Sequence, residues 1–341
     1  MKLSDYNYEL PEELIADKPP VVRGTSRLLV LNRKNGLIKD KKYSDVTDFL
    51  ESGDVLVLNN TKVIRARLRA YKESGVEREL IILEKHSFDD DWCRHRVLYR
   101  GKLRVGDKLT VGGSHLSVEE IQEGGIAVVK SDYDLLKLAE ECGEVPLPPY
   151  MHRSATPMDI ERYQTVWAVN NGSVAAPTAS LNMTDDIINS LIAKGVKIVY
   201  ITLHVGLGTF LPIRTDLVED HHMHQEHFDI PKETVAIIQS AKASGKKVIA
   251  LGTTVARTLE YAADLLKNDS VDISGEADIF IYPGYKFKTI DGLLTNYHAP
   301  KSTVLMLTAA FAGWDKLLPA YEHAIVEKYH FFSYGDSMLI L

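Results

Sequence analysis

Short apolar runs bounded by turn residues dominate the first part of the chain. Residues 26–32 and 54–59 each contain four consecutive apolar residues bounded by polar ones, a pattern typical of strands buried on both faces. Between them, residues 46–50 fit one or two helical turns that end at Ser52-Gly53. Beyond residue 146, apolar runs alternate with amphipathic segments, and this indicates strands alternating with helices in an α/β architecture.

Capping residues set the limits of the elements in this second half. Thr184 is a good N-cap, acidic Asp185 and Asp186 follow it in the first turn, and Gly195 ends the segment. Pro231 and Gly245 bracket another helix in the same way. The predicted elements are a helix at 185–194, a strand at 197–203, a helix from Pro231 to Gly245, strands at 248–251, 277–282 and 293–298, helices after Ser302 and at 316–328, and a final strand within 329–341.

The middle of the chain has a different pattern. Residues 64–129 form short alternating segments separated by glycine-containing turns, which predicts a small antiparallel barrel. A helical stretch near 133–142 leads to the proline cluster at 146–150, a stiff boundary. We therefore predict the α/β class. A barrel-like α/β domain is built from both chain ends, 1–63 plus 146–341, and a small antiparallel β-barrel domain, 64–145, is inserted.

Composition is that of an ordinary globular protein, 45% hydrophobic and 26% charged over 341 residues. The net charge of −7 argues against a general nucleic-acid binder. However, residues 62–108 hold 13 Lys and Arg against 8 Asp and Glu. Such a segment is either an electrostatic footprint for a polyanion or a solvated β-domain, and composition alone favours the second.

Location and redox state follow from what the chain lacks. Cys93 and Cys142 have neither CxxC nor metal-ligand spacing, so we expect reduced thiols. The N-terminus has no apolar signal-peptide core. The longest apolar run, 304–313, is far shorter than the ~20 residues that span a bilayer. We expect a soluble, cytoplasmic protein that does not bind membranes.

Histidines and glycines follow the predicted strand at 197–203. His204 comes directly after it, followed by Gly206 and Gly208. Histidine suits proton transfer near neutral pH, and glycine permits close approach of the backbone to a ligand. A second cluster places three histidines and a glutamate within 221–226. It lacks the H-E-x-x-H spacing of helical zinc sites, so we expect an enzyme without a metal and keep a metallohydrolase as an alternative.

Two further loops carry candidate binding residues. Gly252, Thr253 and Thr254 lie between a strand and a helix, where backbone N–H groups suit a carboxylate or phosphate, and Arg257 is a possible carboxylate clamp. The stretches 162–168 and 172–178 combine an aromatic ring, an amide and hydroxyls, which suits a heterocycle, although an ordinary turn has the same composition. The terminal aromatic residues are more typical of core packing than of a stacking platform; they are Tyr329, Phe331, Phe332 and Tyr334.

Together the motifs are similar, collinearly and over nearly the whole chain, to one enzyme family. The chain resembles the S-adenosylmethionine:tRNA ribosyltransferase-isomerases of queuosine biosynthesis. The motifs that carry the resemblance are S-R-L-L-V-L, G-D-V-L-V-L-N-N-T-K-V, P-L-P-P-Y, R-Y-Q-T-V, G-S-V-A-A-P-T-A, T-L-H-V-G-L-G-T-F, H-x-M-H-x-E, G-T-T-x-x-R-T-L-E, D-I-F-I-Y-P-G-Y-x-F, T-N-Y-H-x-P-K-S-T and F-F-S-Y-G-D-S-M-L-I.

The resemblance implies an unusual use of S-adenosylmethionine as co-substrate. Its ribosyl portion is transferred and isomerised onto 7-aminomethyl-7-deazaguanine in the anticodon region of tRNA, giving epoxyqueuosine, adenine and methionine. The sulfonium acidifies the C5′ hydrogens, so a positioned base can remove one. The amine of the base must then attack a sugar carbon held close to it, and departing adenine needs a proton donor. Among oligomeric states, we expect a monomer.

The resemblance also suggests roles for particular residues. The candidates for proton transfer are His204, His221, His224 and Glu226. The candidates for the methionine carboxylate are Gly252, Thr253, Thr254 and Arg257. The candidates to frame a heterocycle are Tyr163, Gln164, Thr165, Pro283, Gly284 and Tyr285. Further predicted substrate-binding residues are Asn59, Arg67, Ser173, Thr178, Asn182, Gly206, Asn296 and His298.

Several motif positions depart from the family pattern. Asn182 stands where a histidine is usual, and asparagine cannot take up a proton near neutral pH. Two alternatives therefore stay open: a paralogue that uses S-adenosylmethionine with a different acceptor, and a non-catalytic RNA-binding relative. The other departures are Asn60, Arg65, Ser180, Tyr297, Ala299 and His330.

Overall fold

The computed structural model describes residues 1–87, 91–206, 208, 213–268 and 271–341. Over these residues the chain forms a nine-stranded mixed sheet, a closed six-stranded antiparallel barrel and a two-stranded pair. The strands are β1 Arg27–Leu31, β2 Ile38–Lys42, β3 Val55–Asn59, β4 Thr61–Val63, β5 Arg67–Lys72, β6 Glu77–Ile82, β7 Arg94–Tyr99, β8 Lys108–Val111, β9 Ser114–Gln122, β10 Ile126–Ser131, β11 Asn170–Ser173, β12 Lys197–Leu203, β13 Glu226–Ile230, β14 Val248–Leu251, β15 Ile273–Ala277, β16 Gly292–Asn296 and β17 Ser337–Ile340. The α-helices are α1 Leu135–Cys142, α2 Pro157–Arg162, α3 Asp185–Ala193, α4 Lys232–Ala243, α5 Thr253–Tyr261, α6 Thr303–Ala312 and α7 Trp314–Val326.

The large sheet has a parallel centre. Its strand order is β15-β13-β12-β3-β14-β16-β17-β1-β2. Strand β3 pairs in parallel with β12 and β14, and β14 pairs in parallel with β16. Strand β17 runs antiparallel to β16 and parallel to β1. The start of β17 therefore lies at the same edge of the sheet as the carboxyl ends of the central strands.

Strand β3 is apolar up to its last residue, Asn59, because both faces of the sheet are covered at this point. Its five residues are all buried. Leu56 and Leu58 belong to a core cluster that includes residues of α3. Val55 and Val57 point to the other face, into a core cluster that includes residues of α4 and α5. The sheet is thus the middle layer of three, which explains why β3 shows no polar alternation.

The inserted barrel has its own core. Its strand order is β10-β7-β6-β5-β8-β9, closed by the pairing of β9 with β10. The apolar residues that alternate along these strands pack inside, together with one face of α1. The chain enters and leaves the barrel side by side, because Arg67 and Glu144 exchange backbone hydrogen bonds of 3.1 and 2.9 Å. The mixed α/β class with an inserted antiparallel barrel is confirmed, and the domain limits at 64 and 145 stay a prediction.

Most predicted elements are present within a few residues of their expected ends. The strand predicted at 277–282 is wrong: β15 ends at Ala277. Ala277 pairs with Glu226, the first residue of β13, so the chain beyond Ala277 has no continuation of β13 to pair with. Strand β13 itself was not predicted, because its short polar sequence carries little periodicity. Within the described residues, no helix combines the length and apolarity needed to cross a membrane.

Candidate functional site

The four central parallel strands end at one edge of the sheet, and the loops that follow them build the candidate site. Strand β12 leads into His204-Val205-Gly206, β14 into Gly252, and β16 into Tyr297. In α/β sheets, ligands bind outside the carboxyl ends of the strands. The sequence places its histidines and glycines at this edge, so geometry and residue type agree.

A cavity of about 350 Å³ opens at this edge, a volume within the range for small-molecule sites. Its wall is largely apolar, and hydroxyl, amide and imidazole groups face in from several elements. The lining residues are Pro149, Tyr150, Ala176, Pro177, Thr178, Ala179, Val205, Gly252, Thr253, Thr254, Thr295, Asn296, Tyr297, His298, Ala299, Pro300, Lys301, Ser302, Val304, Phe332 and Ser333.

Two helix N-termini contribute to this cavity. Gly252 has φ +95° and directly precedes α5, so Thr253 and Thr254 present their backbone N–H groups at its first turn. Ser302 caps α6 by accepting a 3.2 Å hydrogen bond from Leu305 N–H. Thr254 Oγ1 is buried and has no hydrogen-bond partner in the described chain. These groups suit an anion, since helix N-termini carry partial positive charge.

His298 is the imidazole among the lining residues of the cavity. Its Nε2 lies 3.0 Å from Thr295 Oγ1, which fixes the ring orientation. Burial lowers the pKa of His298 to about 3, so the ring is neutral at physiological pH. A neutral, oriented imidazole in a cavity can accept a proton from a bound molecule.

Glu226 and Arg257 form a buried ion pair beside the cavity. Arg257 Nη1 lies 2.5 Å from Glu226 Oε2, and both side chains are almost completely buried. Burial alone would raise the pKa of Glu226, but Arg257, His224 and the Gly206 N–H lower it to about 2. Both residues line a smaller cavity that shares Thr253 and Thr254 with the main one.

The contacts of Arg257 give it a role within the protein. Its Nη2 donates to the carbonyl oxygens of His224 and Ala277, at 2.9 and 2.6 Å. With Glu226 on Nη1, both terminal nitrogens of Arg257 are used inside the protein. Arg257 therefore positions Glu226 and the 224–226 backbone. Its buried Nε has no hydrogen-bond partner in the described chain, and its contact with a substrate carboxylate stays a prediction.

His204 is buried on the other side of its strand from Val205, outside the cavity lining. Its Nδ1 lies 2.8 Å from Thr61 Oγ1, and its ring stacks 6.1 Å from that of His227. Burial, with His227 and Lys85 nearby, lowers the pKa of His204 to about 4. Its geometry is that of a neutral, packed side chain linking β12 to β4.

Gly172 is the residue whose missing side chain makes room for His204. It has φ +148°, and a Cβ built on it would lie 2.8 Å from His204 Cε1. We expect Gly172→Ala to lower the free energy of unfolding by about 1–3 kcal/mol more than the control Gly245→Ala, because overpacking adds to backbone strain. Gly245 also has positive φ but open space around it. Equal losses in urea denaturation would contradict a steric role for His204.

The other predicted proton-transfer residues lie near Glu226. His224 Nε2 is 3.4 Å from Glu226 Oε1, and a Cβ on Gly208 would meet the His224 ring. The His221 ring packs edge-on against Phe280 at 5.0 Å. Burial, then His224 and His222, lower the pKa of His221. The 221–226 cluster and the 252–257 turn therefore lie together, while Leu207 and residues 209–212 of the intervening motif lie outside the described residues.

Several side chains predicted to bind substrate are hydrogen-bonded to other groups of the protein. Asn59 Nδ2 donates to Leu203 O, and its Oδ1 accepts from the N–H groups of Thr61 and Leu203. Ser173 Oγ accepts from Val205 N–H at 2.7 Å. Such saturated side chains brace the strand ends and leave little capacity for a ligand.

Asn182 is another internally bonded residue. Its Nδ2 donates to Gly335 O at 2.9 Å and to Ser337 Oγ at 3.2 Å, and the side chain is 2% exposed. It therefore fastens the segment before β17, and it lies outside the cavity lining. A change from histidine to asparagine at this position alters a structural contact.

The remaining predictions divide between a second cavity and the periphery. Tyr163 and Gln164 line a cavity of about 250 Å³ between the barrel and the α/β domain, where Gln164 bonds the Val63 backbone. Thr165, which follows them, is buried. Arg67 lies on β5, with its Nε 3.6 Å from Glu79. Three residues, Pro283, Gly284 and Tyr285, form a turn outside the cavities described here, where Tyr285 Oη donates to Glu260.

Further lining residues come from distant parts of the chain and were missed as site residues. Phe332 and Ser333 precede β17, Tyr150 ends the proline cluster, and Lys301 precedes α6. Both Lys301 and Phe332 have positive φ, +58° and +72°, an unusual backbone conformation for such residues. Their motifs were visible in the sequence, but no residue type in them signals proximity to His298.

Comparison with known proteins agrees with the geometry. A family described as "Queuosine biosynthesis protein" matches residues 3–340. The S-adenosylmethionine:tRNA ribosyltransferase-isomerases of Chlorobium phaeobacteroides and Halothermothrix orenii are 54% and 49% identical to the chain, each with 100% of both proteins covered. The crystal structure of S-adenosylmethionine tRNA ribosyltransferase from Thermotoga maritima is 33% identical, with a TM-score of 0.58, and the match covers 99% of this chain and 100% of that one.

The fold and the cavity define an α/β enzyme that carries its site at the carboxyl edge of a mixed sheet. Full-length matches to relatives at about half identity leave no part of the chain outside the similarity. The chain belongs to the queuosine biosynthesis protein family, and it is an enzyme of the transferase and isomerase kind.

Proposed function

We propose that this enzyme transfers and isomerises the ribosyl portion of S-adenosylmethionine onto 7-aminomethyl-7-deazaguanine in tRNA. The products are epoxyqueuosine in the anticodon region, adenine and methionine. The enzyme works in the cytoplasm as a monomer. The proposal is supported by full-length similarity to relatives with this name and by the presence of a matching cavity.

The main cavity carries this proposal. Its lining combines apolar and aromatic groups with the N-termini of α5 and α6. S-adenosylmethionine has a planar base, a ribose and an amino-acid carboxylate, so it needs one apolar region and one region rich in N–H donors. The backbone N–H groups in the first turns of α5, at Thr253 and Thr254, and of α6, which begins at Thr303, supply the donors.

One imidazole is placed for a proton transfer. His298 faces the main cavity as a neutral ring, so it is free to accept a C5′ hydrogen of the substrate as a proton. The carboxylate of Glu226 is ionised, but Arg257 neutralises its charge. The ion pair therefore holds the 224–226 backbone beside the N-terminus of α5, and His298 acts on the proton of the substrate.

The inserted barrel supplies a surface for tRNA. Several of its basic side chains are exposed, among them Arg94, Arg100, Lys102 and Arg104, and they fall in residues 62–108, which hold 13 Lys and Arg against 8 Asp and Glu. Phosphate contacts by such residues give affinity that falls steeply with salt. The barrel accordingly holds the polynucleotide while the wobble base enters the site.

The test is incubation of the purified protein with S-adenosylmethionine and tRNA bearing 7-aminomethyl-7-deazaguanine. We expect adenine release that matches epoxyqueuosine formation, measured by chromatography of nucleosides. Two controls omit tRNA or supply tRNA with an unmodified guanine. Adenine release without tRNA modification would favour a different acceptor, and tRNA binding without turnover would favour a non-catalytic relative. Either result would contradict the proposed function.

The departure at Asn182 gives no support to those two alternatives. Asn182 fastens the segment before β17 and lies outside the cavity lining. We expect Asn182→His to leave kcat within about threefold and to change mainly the melting temperature, because it disturbs a buried hydrogen bond. A rise in kcat of tenfold or more would show that the departure weakens the reaction.

A further inference from the structure

Two aromatic rings form one wall of the main cavity. Tyr150 and Phe332 are both partly exposed and both line it, with ring centroids 4.8 Å apart and planes at 65°. Their neighbours in sequence behave differently: Tyr329 and Phe331 are 1% and 0% exposed and belong to the core. Among the aromatic residues near the end of the chain, Tyr329 and Phe331 therefore pack in the core, whereas Phe332 faces the cavity.

Phe332 is held in a strained conformation at this wall. Its φ is +72°, a sparsely populated and unfavourable conformation for a bulky residue. The turn fixes it from both sides, since Phe332 N–H donates to Tyr297 O at 3.2 Å and Phe332 O accepts from Gly335 N–H at 3.0 Å. Strain of this kind persists at ligand sites when neighbouring bonds over-determine the backbone.

Polar groups surround the two rings. Tyr150 Oη donates to Ser333 Oγ at 2.5 Å and accepts from Ser333 N–H at 3.0 Å, so the Tyr150 ring cannot turn freely. Asn296 is 2% exposed; its Nδ2 donates to Asp336 O, and its Oδ1 has no hydrogen-bond partner in the described chain. A buried acceptor at a cavity wall is costly unless a ligand N–H reaches it.

We propose that Phe332 and Tyr150 bind the adenine of S-adenosylmethionine, with Asn296 Oδ1 accepting a hydrogen bond from the base. This inference rests on the proposed function and assigns the orientation of the substrate within the site. A purine-type base has two sources here, adenine and the deazaguanine of tRNA. The choice of adenine follows from the helix N-termini of the same cavity, which suit the carboxylate on the other end of the same small molecule.

The experiment measures how strongly the protein prefers a ligand with a base over one without it. The probes are S-adenosylhomocysteine and S-ribosylhomocysteine, which differ by the adenine, titrated calorimetrically into the full-length protein without tRNA. We expect Phe332→Leu to weaken S-adenosylhomocysteine roughly 5- to 150-fold, the effect of losing one base–aromatic contact. We expect the affinity for S-ribosylhomocysteine to stay within twofold. The ratio of the two affinities, which measures the preference for the base, therefore falls by about as much as the affinity for S-adenosylhomocysteine.

Matched variants distinguish the loss of a contact between the Phe332 ring and the base from a general loss of folding. Phe332→Tyr keeps a ring and should retain the preference for the base. Phe287→Leu removes a partly exposed ring that packs against Phe311 elsewhere, and it should leave both affinities unchanged. If Phe332→Leu melts below the assay temperature, Tyr150→Leu removes the second ring and gives the same measurement.

Two results would overturn the inference. In one, Phe332→Leu lowers both probe affinities equally or neither. In the other, it lowers affinity for tRNA bearing the deazaguanine while S-adenosylhomocysteine binding is kept, which would assign the wall to the acceptor base. Either can occur while the unaltered protein still forms epoxyqueuosine, so the proposed function would stand. If the unaltered protein binds no S-adenosylhomocysteine and releases no adenine, both proposals fail.

Discussion

Replacing Arg257 by methionine should destabilise the folded protein by about 3–5 kcal/mol, the effect of leaving one partner of a buried ion pair alone. Glu226 is 1% exposed, and the substitution removes the cation 2.5 Å from its carboxylate, which also accepts from the Gly206 N–H and lies 3.4 Å from His224 Nε2. Arg257 also donates to His224 O and Ala277 O, so these carbonyls lose their donor. The measurement is the free energy of unfolding in urea at pH 7.

A double variant tests whether the charge of Glu226 causes this loss. Arg257→Met with Glu226→Gln removes the unpaired charge and keeps an acceptor for Gly206 N–H. We expect it to recover a large part of the stability lost in the single variant, since neutral replacements of buried pairs are often tolerated. If the double variant is as unstable as the single one, packing of the Arg257 side chain explains the effect.

The same ion pair makes the free energy of unfolding depend on pH in the acidic range. The pKa of Glu226 is about 2 in the folded protein, well below the usual 4.5 of a glutamate. A lowered pKa adds stability that is complete above the unfolded pKa and is lost as pH falls from about 4.5 to about 2. The shift corresponds to about 3 kcal/mol. Arg257→Met should remove most of this pH dependence, because Arg257 is the group that lowers the pKa most.

Much of the fold could be read from apolar patterning. Strand β3 and strand β14 are continuous apolar runs, a direct consequence of helices covering both faces of the sheet. The barrel was predicted from short segments of alternating apolar and polar residues separated by glycine-containing turns. Strand β13 was not predicted because its five residues, E-H-F-D-I, are mostly polar, so the segment shows little apolar periodicity.

The sequence predicted which loops build the candidate site, but it predicted much less well what each residue in them does. The sequence indicated correctly that loops after β12, β14 and β16 matter, since strand-to-helix loops carry function in α/β folds. It could not show that Asn59 and Ser173 are saturated by backbone partners. Polar residues that bind substrate and polar residues that brace a strand end have the same composition, and only three-dimensional contacts separate them.

The residues that line the cavity from near the C-terminus were not predicted, because they are distant in sequence from the other lining residues. Phe332 and Ser333 reach it because β17 pairs antiparallel with β16, with Ser337 opposite Asn296. The ion pair of Arg257 was not predicted for the same reason: its partner Glu226 lies 31 positions away and on a different element. Long-range pairing of this kind is specified by the whole fold, so a local motif does not contain it.

The largest effect on activity is expected at His298. His298→Asn should lower kcat by about 10²- to 10⁴-fold, the range for loss of a general base or acid, while KM for S-adenosylmethionine changes little. The reason is its position: His298 lines the main cavity, whereas the predicted base His204 is buried beyond it against Thr61. With its pKa lowered to about 3, His298 is already deprotonated above pH 5, so its titration should give no limb in the kcat profile between pH 5 and 8.

Two matched variants make the assignment decisive. His222→Asn changes an exposed imidazole of the 221–226 cluster and should leave kcat unchanged. His204→Asn should act mainly on the melting temperature, because it removes a packed ring that contacts Thr61 and His227. A kcat loss that is larger for a folded His204→Asn protein than for His298→Asn would return the catalytic role to His204. Melting temperatures of all three variants, measured alongside single-turnover adenine release, separate loss of folding from loss of chemistry.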